Sequence, residues 1–366
     1  MPRSTLKGRS IRDKPIKVPS SNPIHWIYSE RKKLGAIKYL SNEDFEPSNL
    51  VIDTKLFQKL QNLKRNLETI PKEKLEEARR NACPLANLGN FGYVSRGALK
   101  LADIDESLQF SLCSEPESHF TDICSGPGGF SQYLLKKSNG VRGIGFTLKD
   151  HLDFKFEDER FKKFYGVAKD GDIYNPENIK SLHAFVMEET ENRGSDLVLA
   201  DGGFSVQGRE NDQETLSHQL YFCQMLSILL LTKIGGTAIM KFFDISTISS
   251  TSIVYILLQN FAKVSLFKPI SSRAANSERY LLCIDRLDSN ECIKRLFDIA
   301  EQMFANRCGR IEVENMSPAF LSYLFRRNVS LCSSQILALQ RVFTGTRNEN
   351  RGDLKKYYKN LWRLRE

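Results

Sequence analysis

The sequence predicts an α/β fold with a mostly parallel sheet covered by helices on both faces, and three observations lead there. Short apolar runs at 143–146, 164–167, 196–200, 237–240 and 264–267 are separated by stretches with helical spacing. That alternation is typical of a parallel sheet buried on both sides. A strand-like run at 118–123 leads into a glycine-rich turn, Cys124-Ser-Gly-Pro-Gly-Gly-Phe130, and then into the amphipathic helix start at 130–135. A backbone that bends sharply after a strand and approaches a bulky ligand leaves no room for Cβ atoms. With 366 residues, 41% of them apolar, the chain can build one sizeable core.

Residues 1–22 are basic, rich in Ser and Pro and without apolar period, so a mobile arm is expected. Over 53–81 the leucines Leu56, Leu60, Leu63 and Leu67 recur at helical spacing among Lys and Glu, the pattern of a helical region packing its stripe on a core. The 216–231 helix is unusually apolar but is interrupted by Ser217, His218, Gln219, Gln224 and Ser227. A membrane span needs about 20 mainly apolar residues, so a buried helix against the sheet is expected instead. From 288 onward, Ile293, Leu296, Phe297, Ile299 and Ala300 begin a helical C-terminal extension, 288–366, packed on a main domain at 23–287.

The eight cysteines (Cys83, Cys113, Cys124, Cys223, Cys283, Cys292, Cys308 and Cys332) never form a Cys-x-x-Cys pair, and the five histidines are scattered. Reduced thiols, no structural metal and a nuclear or cytosolic setting are the expectation. The net charge of +9 is concentrated at the two ends. Arg3, Lys7, Arg9, Arg12, Lys14 and Lys17 against Asp13 give +5 at the start. Arg341, Arg347, Arg351, Lys355, Lys356, Lys359, Arg363 and Arg365 against Glu349, Asp353 and Glu366 give +5 at the end. Basic termini of this kind suit sequence-independent phosphate binding, with a solvated face as the plainer reading.

Four ionisable residues sit beside the elements of this pattern. Lys100 lies in 94–101, Asp201 opens Asp201-Gly-Gly-Phe204, Lys241 closes the apolar run 235–241, and Glu278 lies in Asn276-Ser-Glu-Arg-Tyr280. Singly each is weak, because strand-end lysines are commonly exposed and Asp-Gly is a common turn. In order, and with the glycine turn between the first two, the series resembles the FtsJ/RrmJ-type ribose 2′-O-methyltransferases. The segments 201–208, 171–173 with 176–178, 267–273 and 275–280 are most similar to the eukaryotic cap-specific mRNA (nucleoside-2′-O-)-methyltransferases, which make cap 1. The resemblance runs from about Pro23 to Arg363.

This resemblance implies a Rossmann-like S-adenosylmethionine-dependent methyltransferase fold with helical N- and C-terminal additions. Cys124, Ser125, Gly126, Pro127, Gly128, Gly129 and Phe130 would line the methionine side of S-adenosyl-L-methionine, and Asp172 and Ile173 would meet its adenine. Ser95, expected to contact the cofactor, stands where the cap enzymes usually have Asn. No acidic residue closes the second strand, and Asp150 is the nearest substitute for a ribose clamp. Arg79, Asn211, Asp212, Gln213 and Asn276 fall at cap-contacting positions. The plain alternatives are that Arg79 ends an exposed helix and that 211–213 is a loop with an N-cap. The implied partners are 7-methylguanosine-capped RNA and the capping or transcription machinery, for a monomer in the nucleus or, alternatively, the cytoplasm.

A ribose 2′-hydroxyl is a poor nucleophile, so in-line attack on a sulfonium methyl needs a positioned base and surroundings that favour the developing alkoxide. Lys241 is the expected base, its neutral form favoured by burial and by the positive charges of Lys100 and the sulfonium. Asp201 and Glu278 would hold the two lysines. Much of the acceleration would come from alignment. A ribosomal or transfer RNA methyltransferase of the same fold, and an inactive cap-binding subunit, remain alternatives. Tyr357, Tyr358 and Trp362 offer bases a stacking surface or pack their own helix.

Overall fold

The computed structural model describes residues 21–40, 46–82, 85, 88–204, 209–288, 292–306, 309–344 and 352–365. Most of the basic arm, the second half of the 201–208 motif, Cys83, Cys308 and the charges at 345–351 lie outside the described residues. The chain opens with strands β1 (Ile27–Tyr28) and β2 (Ile37–Leu40) and helices α1 (Thr54–Glu68) and α2 (Lys72–Ala82). The central part runs α3 (Gly97–Ser107), β3 (His119–Ile123), α4 (Gly129–Lys137), β4 (Arg142–Phe146), β5 (Phe161–Phe164), α5 (Pro176–Glu189) and β6 (Ser195–Ala200). It continues through α6 (Gln213–Leu216), α7 (His218–Leu231), β7 (Thr232–Phe242), α8 (Ile248–Asn260), β8 (Phe261–Phe267) and β9 (Arg279–Arg286). α9 (Ile293–Asn306), β10 (Arg310–Val313), α10 (Pro318–Thr344) and α11 (Gly352–Leu361) follow.

Eight strands form one sheet in the order β1-β8-β9-β7-β6-β3-β4-β5. β3 to β7 pair in parallel, β9 runs antiparallel between β7 and β8, and β1 adds an antiparallel edge. The two faces are covered by separate apolar clusters, one drawing on α5, α7, α8 and α9, the other on α3, α4 and α11. This is the α/β arrangement expected from the alternating runs. α7 is buried on nearly every side because it packs on α5, α8, α9, β6 and β7, and a helix covered all round has no need of a polar face. No described helix is long and apolar enough to cross a membrane. The α1 leucines pack on α10, where Leu60 and Leu67 share a cluster with Cys332, Ile336, Leu339 and Val342.

Three expectations change. The strand expected at 164–167 is β5, which ends at Phe164, since Tyr165 already accepts a turn bond from Gly171 N at 2.9 Å. Phe161 anchors it, its ring 5.0 Å from that of Phe154. β9 had no counterpart in the pattern, because Tyr280-Leu-Leu-Cys283 is buried without alternation and sits behind a polar motif. The terminal additions are not wholly helical, since β2 and β10 pair antiparallel, Ile311 opposite Tyr39. Strands of four residues are too short for a period of two to stand out.

A buried polar network ties the additions to the sheet. Lys64 of α1 donates to Asp244 Oδ2 at 2.5 Å, Arg279 donates to Oδ1 at 2.8 Å, and Ser277 Oγ donates to Oδ2 at 2.9 Å. Asn328 of α10 accepts from Arg279 at 3.3 Å and donates to the carbonyls of Val51 and Ile245 at 2.9 and 2.8 Å. Burial disfavours the Asp244 charge, yet Lys64 and Arg279 hold its carboxyl below the usual range. Asp244→Ala would leave two buried cations uncompensated and is expected to cost about 3–5 kcal/mol of stability. Urea unfolding measures this, and a loss below about 1 kcal/mol, the surface-pair level, would show the network to be dispensable.

Candidate functional site

The glycine turn takes its shape from packing within the protein. Gly128 caps α4 at φ +98°, and a Cβ there would lie 2.4 Å from Phe156 and 2.8 Å from Phe154. A Cβ on Gly126 would lie 1.6 Å from the Leu152 carbonyl oxygen. The room denied to side chains is therefore filled by the 152–156 segment, where the sequence pointed to a ligand. α4 has no side-chain cap at its N-terminus, and the first-turn N–H groups and dipole of a helix favour an anion there. Ser95 lies against the turn, 2.2 Å from where a Cβ on Gly129 would be. Phe130 is buried with its ring 6.0 Å from Tyr280, bracing the turn from behind.

Beyond the turn, Asp172 is half-buried and accepts from Tyr174 N at 2.8 Å, while Ile173 is buried. Burial raises the Asp172 carboxyl above its usual range. Thr147 follows β4 and accepts from Gly126 N at 3.3 Å. Asp150 is given to its own exposed turn, accepting from Leu152 N at 2.7 Å. Burial pushes the Cys124 thiol up to about 12, which keeps it protonated. Among the described residues, no group of three or more His, Cys, Asp or Glu side chains is placed to hold a metal ion.

Four elements bring the charged residues together. Lys100 comes from α3, Asp201 from the end of β6, Lys241 from the end of β7 and Glu278 from the residue before β9. Lys100 Nζ donates to Glu278 Oε2 at 2.7 Å, and Ser272 Oγ donates to Oε1 at 2.7 Å. Lys241 Nζ donates to the Asp201 carbonyl at 2.5 Å and lies 3.2 Å from Asp201 Oδ1, which also accepts from Tyr280 OH at 2.8 Å. Gly203 keeps this turn close, since a Cβ there would meet Lys241 Nζ at 2.9 Å. Burial opposes charge on both Glu278 and Lys100. Even so, Lys100 and Lys241 hold the Glu278 carboxyl below the usual range, and Glu278 and Asp201 hold the Lys100 ammonium above the usual lysine value.

A cleft of about 360 Å³ lies alongside, lined by Arg79, Gln213, Asn276, Arg273, Phe204 and Phe243 among others. It joins three of the five expected substrate residues. The other two lie elsewhere: Asn211 donates to Gln61 O at 3.4 Å, and the exposed Asp212 accepts from Arg209 at 3.1 Å. Arg79 does not end an exposed helix. It is half-buried, 3.7 Å from Glu210. Lys268, Ser272, Arg273 and Tyr280 had no role assigned from sequence, although their segments carry the resemblance. Tyr358 and Trp362 are buried in the cluster of α3 and α4, so they hold α11 down and leave Tyr357 exposed.

The depressed Glu278 carboxyl makes a pH prediction. Its stabilising pair with Lys100 is complete above the unfolded value near about 4.3 and is lost as pH falls through the lower folded value. Stability of the wild type is expected to fall more steeply than that of Glu278→Gln between about pH 5 and 2. Parallel acid-unfolding profiles would show that the pair contributes nothing.

Known proteins resemble this chain over much of its length. A cap-specific mRNA (nucleoside-2′-O-)-methyltransferase 1 from Danio rerio is 34% identical over 328 residues, 79% of this chain and 40% of that protein. The Homo sapiens protein of the same name is 38% identical over 303 residues, 74% of this chain and 36% of its own. The chain thus matches well under half the length of these relatives. A solved structure of a putative ribosomal RNA methyltransferase from Plasmodium falciparum is 25% identical and covers 53% of this chain and 99% of that one, with a TM-score of 0.42. The FtsJ-like methyltransferase family matches residues 93–286, from just before α3 to the end of β9, and the chain belongs to it.

Proposed function

We propose that this protein transfers a methyl group from S-adenosyl-L-methionine to the ribose 2′-hydroxyl of the first transcribed nucleotide of 7-methylguanosine-capped RNA. The observation that carries the reading is the adjacency of cleft and tetrad. Asn276 in the cleft is two residues from Glu278, and Phe243 lines the cleft while lying 5.8 Å beneath Lys241 Nζ. Phe204 and Phe243 offer aromatic faces in one cleft with Arg79 and Arg273. A methylated, positively charged guanine binds aromatic faces well, and arginines suit the phosphates that follow it.

The residues around the turn fit the cofactor. The uncapped start of α4 suits its carboxylate, and Asp172 with buried Ile173 offers an acid and an apolar wall. When bound, it supplies an electrophilic methyl on a sulfonium. Lys241 Nζ is the group to accept the hydroxyl proton, oriented by the Asp201 carbonyl and carboxylate. Tyr280 fixes the Asp201 carboxylate, and Burial with Asp201 and Glu278 beside it keeps the Tyr280 phenol protonated as a donor. Lys100, held by Glu278, places a fixed cation where the alkoxide develops. A nuclear location and an encounter with the capping machinery fit this substrate.

Lys241→Ala is expected to lower turnover by about 10²- to 10⁴-fold while cofactor affinity survives. Labelled methyl transfer to RNAs ending in 7-methyl-GpppN, GpppN or a triphosphate, followed by nuclease mapping, measures this together with cap dependence. Equal transfer to all three would favour a ribosomal or transfer RNA substrate, and binding without transfer would favour a cap-binding subunit. Exposed Lys355 and Lys356 and half-buried Lys359 ride on α11, anchored by Tyr358 and Trp362. Neutralising all three lysines is expected to weaken RNA binding alike for different sequences and to flatten its salt dependence. Parallel salt slopes with equal affinities would make that face merely solvated.

A further inference from the structure

The connection between β8 and β9, residues 268–278, reaches both sites, with Asn276 at the cleft and Glu278 in the tetrad. Its middle is fastened to α3. Ser271 N and Oγ both donate to Asp103 Oδ2 at 2.9 Å, and Arg96 donates to Ser271 O at 3.0 Å. Its far end is held from its own beginning. Lys268, the first residue after β8, donates to Asn276 O at 2.8 Å, to Asn276 Oδ1 at 2.9 Å and to Glu278 O at 2.7 Å. An ammonium has three protons to give, and these three acceptors lie on the two residues that serve the two sites. Ser272 Oγ spans the same pair, 3.4 Å from Asn276 Oδ1 and 2.7 Å from Glu278 Oε1.

Asn276 therefore lines the cleft while its side-chain oxygen is held from the interior. A ligand that turns this amide draws on the ammonium that also holds the Glu278 backbone, and through Glu278 bears on the place of Lys100. We propose that Lys268 is a positioning residue that couples filling of the cleft to the setting of Glu278 against Lys100. It touches neither RNA nor cofactor in this role and acts through the 276–278 turn. The groups facing its ammonium are Glu278 and Arg279 at the start of β9, Lys100 of α3 and Asp244 after β7. Burial pushes its pKa down to about 7, while the charge of Glu278 favours the protonated form.

The inference rests on the reading of the cleft and tetrad as cap pocket and reacting centre. The test compares Lys268→Met, Asn276→Ala and the double variant in kcat and KM on 7-methyl-GpppN and triphosphate RNA, with cofactor Kd and melting temperature as checks on folding. Lys268→Met is expected to lower kcat on capped RNA by up to about 10²-fold, the scale of a small misplacement at a reacting centre, with cofactor Kd unchanged. Asn276→Ala is expected to add little once Lys268 is gone, because both act through one turn. Lys268→Gln, which keeps a donor, is expected to recover part of kcat and serves if the methionine variant does not fold. A kcat within twofold of wild type, or effects of the two substitutions that multiply, overturns the coupling. A wild type without preference for capped RNA would sink the cap reading and this inference with it. A wild type that prefers capped RNA beside an unchanged Lys268→Met sinks this inference alone.

Discussion

Three successive residues at the entry to β9, Glu278 to Tyr280, each meet a charged group near the sheet. Glu278 faces Lys100, Arg279 faces Asp244, and Tyr280 faces Asp201, which in turn holds Lys241. The backbone alternation of a strand sends neighbouring side chains to opposite sides, so a single strand entry serves both faces of the sheet. It can do so because β9 enters antiparallel between β7 and β8, with Tyr280 opposite both Lys241 and Phe267. Displacing this strand start would unpair a buried carboxylate or a buried cation on either side, at several kcal/mol each. Charge pairing thereby helps to fix the register of β9.

The parallel half of the fold was legible because its strands end in turns with their own chemistry. The glycine turn after β3 and Asp201 after β6 both stand at strand ends in the structure. β9 escaped because its polar start and buried continuation show no alternation, and β5 was misplaced because Tyr165 and Val167 extend the apolar run into a turn. The four charged residues were legible as a series, although no one of them was informative alone. Lys268 could not be read, since a lysine after a strand looks like any exposed lysine until its three acceptors, eight and ten residues further on, fold back onto it. The cleft was half legible. Arg79, Gln213 and Asn276 line it, but sequence order alone gives no means of separating Gln213 from its neighbours Asn211 and Asp212.

The glycines of the turn show a similar division between sequence and structure. Their presence signals close approach, but what approaches is the 152–156 segment, whose aromatic rings pack on Phe161, one edge-on and one tilted. The glycine turn and the sheet edge are therefore one packed unit, and a side chain added at Gly128 would be felt first by Phe154 and Phe156.

The span matched by the family, 93–286, contains all four charged residues but is not a self-sufficient body. Cut to that span, the chain would lose Lys64 and Asn328 from the Asp244 network, and the sheet would lose its β1 edge. The face of α3 and α4 would be stripped of Tyr358 and Trp362. The smallest unit that keeps Lys100 on a fully covered helix thus includes sequence from both sides of the family region. In this molecule the boundary of the recognisable motif and the boundary of the cooperative fold are different lines.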